Sequence, residues 1–160
     1  MAHAIAQAGV RFVAALPDIV TSDGLLWPLS RDPRFRLIRL CKEDEGVAIC
    51  TGLAFTGQRA VLLMQQTGLM DSLNAIRAVA VEYAQPVCMI VGLQGKEADC
   101  LPAASARYGV RIVPPILDVM GIDHISIEGP GDEAALLPAI ERAYALARPV
   151  IALVGRTVLA

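Results

Sequence analysis

Aromatic and charged residues are scarce in this chain, at 4% and 19% against 55% hydrophobic. That balance excludes a disordered chain, which has too little apolar surface to offset the entropy of ordering. The net charge is −2 and no basic run occurs, which argues against nucleic acid as the main partner. Only two histidines are present, His3 and His124. They lie far apart, a poor basis for a zinc site or a proton relay, and metal-ligand spacings are missing elsewhere. Cys41, Cys50, Cys88 and Cys100 form no Cys-x-x-Cys pair, so free thiols in a reducing cytoplasm are expected. No apolar run approaches the ~20 residues of a spanning helix. Residues 1–7 lack the basic region and apolar core of a signal peptide. A cytoplasmic protein is therefore expected. No Gly-x-Gly-x-x-Gly follows the first strand, no phosphate loop ends in Gly-Lys-Ser/Thr, and no Gly-x-Ser-x-Gly elbow appears. Dinucleotide binding and simple nucleophilic hydrolysis have no support.

What remains is an apolar chain of 160 residues, most simply one domain over 1–160. Short β-rich apolar runs alternate with helical stretches. Strands are expected at 11–16, 35–40, 60–64, 86–91, 124–127 and 150–154. Helices are expected at 2–8, 22–30, 43–55, 70–83, 115–120 and 132–147. Several strands are almost continuously apolar, as buried parallel strands tend to be. The alternation implies right-handed βαβ crossovers and an α/β fold: a three-layer α/β/α sandwich with a mostly parallel six-stranded sheet. Asp132 is expected to N-cap the last helix, and Gly121 to stop the one before it. Residues 93–105 are the least regular, either an active-site loop or a surface connection.

The polar residues fall on one rim. Pro17-Asp18, Glu43, Gln65-Gln66-Thr67 and Gln94-Gly95-Lys96 each follow a presumed parallel strand. The carboxyl ends of such strands are where open α/β sheets keep ligands. Residues 42–74 concentrate the signal. The acids of Lys42-Glu43-Asp44-Glu45 open a helix, where they suit the positive end of its dipole. Gly46, Ala48, Cys50, Gly52 and Ala54 keep that helix narrow enough for close approach.

These residues, taken in order, resemble the pyrimidine-binding domain of thiamine diphosphate enzymes. The likeness is greatest to sulfopyruvate decarboxylase α subunits and the matching half of phosphonopyruvate decarboxylases. It runs through Ala8-Gly9-Val10-Arg11-Phe12-Val13 and Leu16-Pro17-Asp18, then Glu43–Gly52, then Leu63-Met64-Gln65-Gln66-Thr67-Gly68-Leu69 with Asn74 and Pro86. The resemblance implies a 2-oxo acid decarboxylase. In the family a glutamate nine residues before a helix glycine hydrogen-bonds the aminopyrimidine; Glu43 and Gly52 match it. Glu45 is the alternative if the register slips by two. Gln66, Thr67, Gly68 and Asn74 are implied at the cofactor, and Asp18, Gln65 and Gln94 at the substrate.

Three departures stand out. Met70 replaces a second glycine, Leu93-Gln94-Gly95 replaces a Trp-Arg-Gly type of run, and a loop histidine is missing near Arg107. Arg107 is a candidate for the lost cation. The chain also has no Gly-Asp-Gly followed by Asn-Asn, the family's diphosphate and magnesium signature. The resemblance therefore implies a β subunit that holds Mg2+ and the diphosphate, in an α2β2-type or larger heteromer. A mean hydropathy of +0.53 fits apolar surface covered by such a partner. The alternatives are a carboligase or lyase subunit on another 2-oxo acid, or a non-catalytic α/β binding or regulatory domain.

Overall fold

The structure, a computed structural model, describes residues 1–158. Six strands form one sheet: β1 (Phe12–Ala15), β2 (Arg36–Arg39), β3 (Ala60–Gln65), β4 (Cys88–Gly92), β5 (Asp123–Ile127) and β6 (Val150–Val154). Their order is β2-β1-β3-β4-β6-β5 and every neighbouring pair is parallel. The six expected strands are all present, each within two residues of its expected limits. β4 and β6 are buried from end to end and β1 and β3 at all but one residue, whereas β2 and β5 are largely half-exposed. These two edges carry Arg36, Arg39, Asp123 and His124, charged or polar groups that blunt a sheet edge.

Alternation along the strands sends successive side chains to opposite faces. Val13, Leu63, Ile90 and Ala152 pack with α1 (Ala2–Gln7), α2 (Trp27–Arg31) and α8 (Leu136–Leu146). Ala14, Leu62, Met89 and Leu153 pack with α3 (Glu43–Phe55), α4 (Gln66–Asp71), α5 (Leu73–Ala75), α6 (Tyr108–Arg111) and α7 (Val113–Val119). The result is the three-layer α/β/α arrangement. Each fully buried leucine contributes about 1.5–3 kcal/mol relative to exposure.

Several helix limits differ from expectation. The helix expected at 70 begins at Gln66, directly after β3, with no connecting turn. It then breaks at Ser72 and widens into a π-type turn over Ile76–Val81. Helix α7 starts at Val113, ahead of Pro114 and Pro115. Prolines are tolerated in a first turn because the N–H groups there have no helical partner. Asp132 is not the N-cap of α8: a 3-10 turn (Asp132–Ala135), itself capped by Gly131 at φ +100, precedes it, and Ala135 holds that place. The Asp132 carboxylate instead accepts the N–H groups of Glu128 and Gly129, each at 2.9 Å. Gly121 does stop α7, at φ +65, with Ile122 N–H closing back on Leu117 O at 3.0 Å.

The link from β1 to α2 is held by Asp18. Its Oδ1 accepts Val20 N–H at 2.7 Å and Thr21 N–H at 2.9 Å, while its Oδ2 accepts the Thr21 hydroxyl. Ser22 Oγ accepts Asp18 N–H at 2.9 Å. The carboxylate lies against Gly92 at the end of β4, where a Cβ would stand 2.4 Å from Oδ1. Burial makes each of these bonds costly to break.

Two measurements test this packing. Asp18→Ala leaves buried N–H groups without an acceptor, so unfolding stability falls by about 2 kcal/mol. Urea titration followed by Trp27, the one tryptophan, reads the change. The four thiols are free, and burial pushes Cys50 up to about 12 and Cys88 well above the ordinary thiol range. Iodoacetamide therefore labels exposed Cys41 in the folded protein, and Cys50 and Cys88 only after denaturation.

Candidate active site

Parallel strands bring the expected polar residues to one rim. Glu43 opens α3 beyond β2, Gln65 ends β3, Gln66 opens α4, and Gln94 lies two residues past β4. The three consecutive acids do different things. Glu45 Oε2 turns back to accept the N–H groups of Cys41 at 3.1 Å and Lys42 at 3.3 Å, half of a capping box. Asp44 accepts its neighbour's N–H at 3.0 Å and pairs with Lys42 at 3.5 Å. The half-buried carboxylate of Glu43 has no hydrogen-bond or ionic partner among the described residues. Glu45, the alternative left open by the sequence, is thus occupied in capping the start of α3.

Glu43 lies against the first turn of α4. A Cβ on Gly68 would stand 2.2 Å from both the Glu43 Cδ and Oε1. Only glycine leaves that space open. The neighbouring rim is cross-linked. Gln66, itself buried, accepts Gln94 N–H at Oε1 (2.8 Å) and donates from Nε2 to Gln94 O (3.2 Å). Its amide is committed to this clamp between the ends of β3 and β4 rather than directed at a ligand. Gln65 Nε2 donates to Thr67 Oγ1 at 2.8 Å, and Thr67 is exposed.

Two expected site residues do not join this group. Both Asp18 carboxylate oxygens are taken by the β1–α2 link described above. Asn74 is exposed on α5, where its Oδ1 accepts Arg77 Nη2 at 3.0 Å. Arg107 is exposed beside Gly95, its Nε 3.7 Å from where a Cβ on that glycine would lie.

Lys96 was expected at the rim, but its partner Glu128 and the rim residues Gly155 and Arg156 carried no pattern that sequence reading could catch. Lys96 has a fully buried side chain (0% exposed) whose Nζ lies 2.7 Å from Glu128 Oε2 beyond β5. The contact is ionic rather than a directed hydrogen bond, because neither Glu128 oxygen has a hydrogen-bond donor. Lys96 Nζ donates to Glu97 O at 2.7 Å. Gly155, after β6, makes room for Glu128: a Cβ there would stand 2.2 Å from Oε2. Arg156 donates from Nη2 to Ala98 O at 2.9 Å. A cavity of about 350 Å³ opens among the loops after β1, β4 and β6, with Gln94, Lys96 and Arg156 in its wall. Among the described residues no three His, Cys, Asp or Glu side chains gather as a metal site.

No family model matches the chain. It is 32% identical over 132 residues to the sulfopyruvate decarboxylase subunit alpha of Methanococcus maripaludis, covering 82% of this chain and 76% of that one. The same subunit of Methanocaldococcus jannaschii is 25% identical over 149 residues, covering 92% and 86%. The sulfopyruvate decarboxylase of Methanosarcina acetivorans is 31% identical over 154 residues; the match takes in 93% of this chain but only 37% of that protein. Among solved structures, benzoylformate decarboxylase from Polynucleobacter necessarius superposes at TM-score 0.70 and 18% identity, over 95% of this chain and 28% of that one. A 2-oxoglutarate:ferredoxin oxidoreductase from Magnetococcus marinus does so at 0.62 and 14%, over 98% and 28%. These two likenesses concern the fold. Shared sequence over most of both chains carries the family: the chain belongs to the sulfopyruvate decarboxylase α subunits, a family of subunits of thiamine-diphosphate-dependent 2-oxo acid decarboxylases.

Proposed function

We propose that this chain is the pyrimidine-binding subunit of a cytoplasmic decarboxylase acting on 3-sulfopyruvate or a similar small acidic 2-oxo acid. On this reading residues 1–160 form one pyrimidine-binding domain. A β subunit holds the diphosphate and Mg2+, and the two kinds of subunit assemble as an α2β2-type or larger heteromer. The observation that carries the reading is the state of Glu43. It is the one acid of its cluster without a partner among the described residues, and its carboxyl fills the space left by the missing side chain of Gly68.

The residues present fit the aminopyrimidine of thiamine diphosphate. A half-buried carboxyl group with no internal partner can accept or donate one hydrogen bond to a ring nitrogen. Thiamine diphosphate, when bound, supplies the electron sink for loss of CO2 from the 2-oxo acid. The work of this chain is to place and protonate. Glu43 holds a proton at the ring nitrogen, and burial under the partner subunit removes competing water. Gly68 lets the Glu43 carboxyl stand against the backbone of α4, which sets where the ring must lie. Gln66 fixes Gln94 against the end of β3, so the substrate side of the rim keeps its position relative to Glu43. Thr67, exposed beside Gly68, and Gln65, held to Thr67, line the same rim. Asp18 supports the substrate side by holding the β1–α2 link.

Co-expression with the β subunit, followed by CO2 release from 3-sulfopyruvate, tests the assignment. Glu43→Gln lowers turnover by about 10²–10⁴-fold, the span of a lost acid–base group. Glu45→Gln keeps a capping acceptor at the start of α3 and leaves turnover within a few-fold of wild type. Equal turnover in Glu43→Gln and wild type would remove the mechanism. Gly68→Ala forces the flexible Glu43 side chain aside while the fold persists, and turnover falls by about 100-fold through misplacement alone. Thiamine diphosphate affinity, read by calorimetry on the same complex, falls with it.

A further inference from the structure

The cavity between the loops after β1, β4 and β6 differs in charge from its surroundings. Two of its wall residues are cations, Lys96 and Arg156, and none is an acid. Lys96 is neutralised from behind by Glu128 at 2.7 Å, outside the cavity wall. Arg156 has no carboxylate partner among the described residues. One of its nitrogens donates to Ala98 O, which leaves further N–H groups unengaged. Its backbone is held on both sides. Gly155 N–H donates to Ile127 O at 2.9 Å, and Val158 N–H donates to Val20 O at 2.9 Å. The guanidinium is thus a placed, unpaired cation on a fixed stem, with Arg107 adding positive charge beside Gly95.

The cavity continues the rim that begins at Glu43. Glu43 abuts Gly68, Gln66 two residues earlier clamps Gln94, and Gln94 lines the cavity. From the end of β3 to the end of β6 is two strand spacings, about 10 Å. That is the reach of a small acid extended along the rim from the reacting centre. A volume of about 350 Å³ is at the small end of ligand pockets and suits such a molecule.

We propose, on the decarboxylase reading given above, that Arg156 binds the second acidic group of the substrate: a tetrahedral oxyanion, sulfonate or phosphonate, on carbon 3 of the 2-oxo acid. The planar guanidinium offers paired N–H donors to two oxygens of such a group. Lys96 supports it from below, and its pairing with Glu128 keeps the cavity from carrying an unbalanced buried charge. Arg156 takes the place of the cation lost from the Leu93-Gln94-Gly95 run. It arrives from β6 rather than from β4.

The test uses the complex with its β subunit, thiamine diphosphate and magnesium. kcat and KM are measured for 3-sulfopyruvate, 3-phosphonopyruvate and pyruvate, which has no second acid. In Arg156→Gln the preference for the acidic substrates over pyruvate falls by about 10- to 100-fold, mainly through KM. Arg156→Lys recovers part of it, since the charge returns without the fork. The larger loss among the two acidic substrates identifies the oxyanion. Sulfoacetate carries the sulfonate but no ketone; its affinity for the complex, by calorimetry, drops by the same factor in Arg156→Gln. An unchanged preference together with unchanged sulfoacetate binding overturns the assignment. Sulfoacetate binding that depends on Arg156, in a complex that releases no CO2 from any of the three acids, upholds the anion site and rejects the decarboxylase reading.

Discussion

A carboxyl group can stand over the first turn of α4 only because residue 68 has no side chain. Glu43 fills the volume that any Cβ there would claim. The close approach fixes α3 and α4 relative to each other at the rim. The Glu43 oxygens themselves take no hydrogen bond from any of the described residues. The acids beside it are consumed locally: Glu45 caps the start of α3 and Asp44 meets Lys42. A single residue of the chain thus separates an acid that builds structure from one that is free for chemistry.

The same rule of close approach recurs along the rim. Gly92 admits Asp18, and Gly155 admits Glu128. In each case a glycine at or just beyond the end of a strand receives a carboxylate from a neighbouring loop. Asp18 and Glu128 then differ in what they hold. Asp18 organises backbone N–H groups, whereas Glu128 balances the charge of Lys96. The loops over β4 and β6 are positioned by these contacts and by the Gln66 amide, with no need for regular structure of their own.

Most of the fold was legible in the sequence because buried parallel strands are nearly all apolar. Residues 150–154 mark β6 with no ambiguity, and even the half-exposed β2 and β5 were found from β-branched or alternating residues. The start of α4 was not, since Gln65-Gln66-Thr67-Gly68 reads as a polar turn while the chain passes straight from strand into helix. Tyr108–Arg111 is too short to show a period. At the site, Glu43 and Gly68 were legible through family resemblance, but their contact was not, because it joins residues from two different crossovers. Gln66 and Asp18 were expected at ligands; in the structure the amide binds the backbone of Gln94, and the carboxylate binds two backbone N–H groups and the Thr21 hydroxyl. The pairing of Lys96 with Glu128 was invisible for the same reason that makes it informative. A buried ion pair between distant loops leaves no spacing to read.

That ion pair has a consequence for how such a site can diverge. Lys96 and Glu128 cancel each other, so neither contributes to the net charge of the cavity they adjoin. Changing one alone would strand a desolvated charge, so the two are coupled and drift slowly. Arg156 is under no such restraint. It stands at the surface of the same cavity and contributes the charge that is not already balanced. The pocket's sign therefore rests on a side chain that can be exchanged without disturbing the buried pair, and selectivity among acids can shift by one substitution while the scaffold stays as it is.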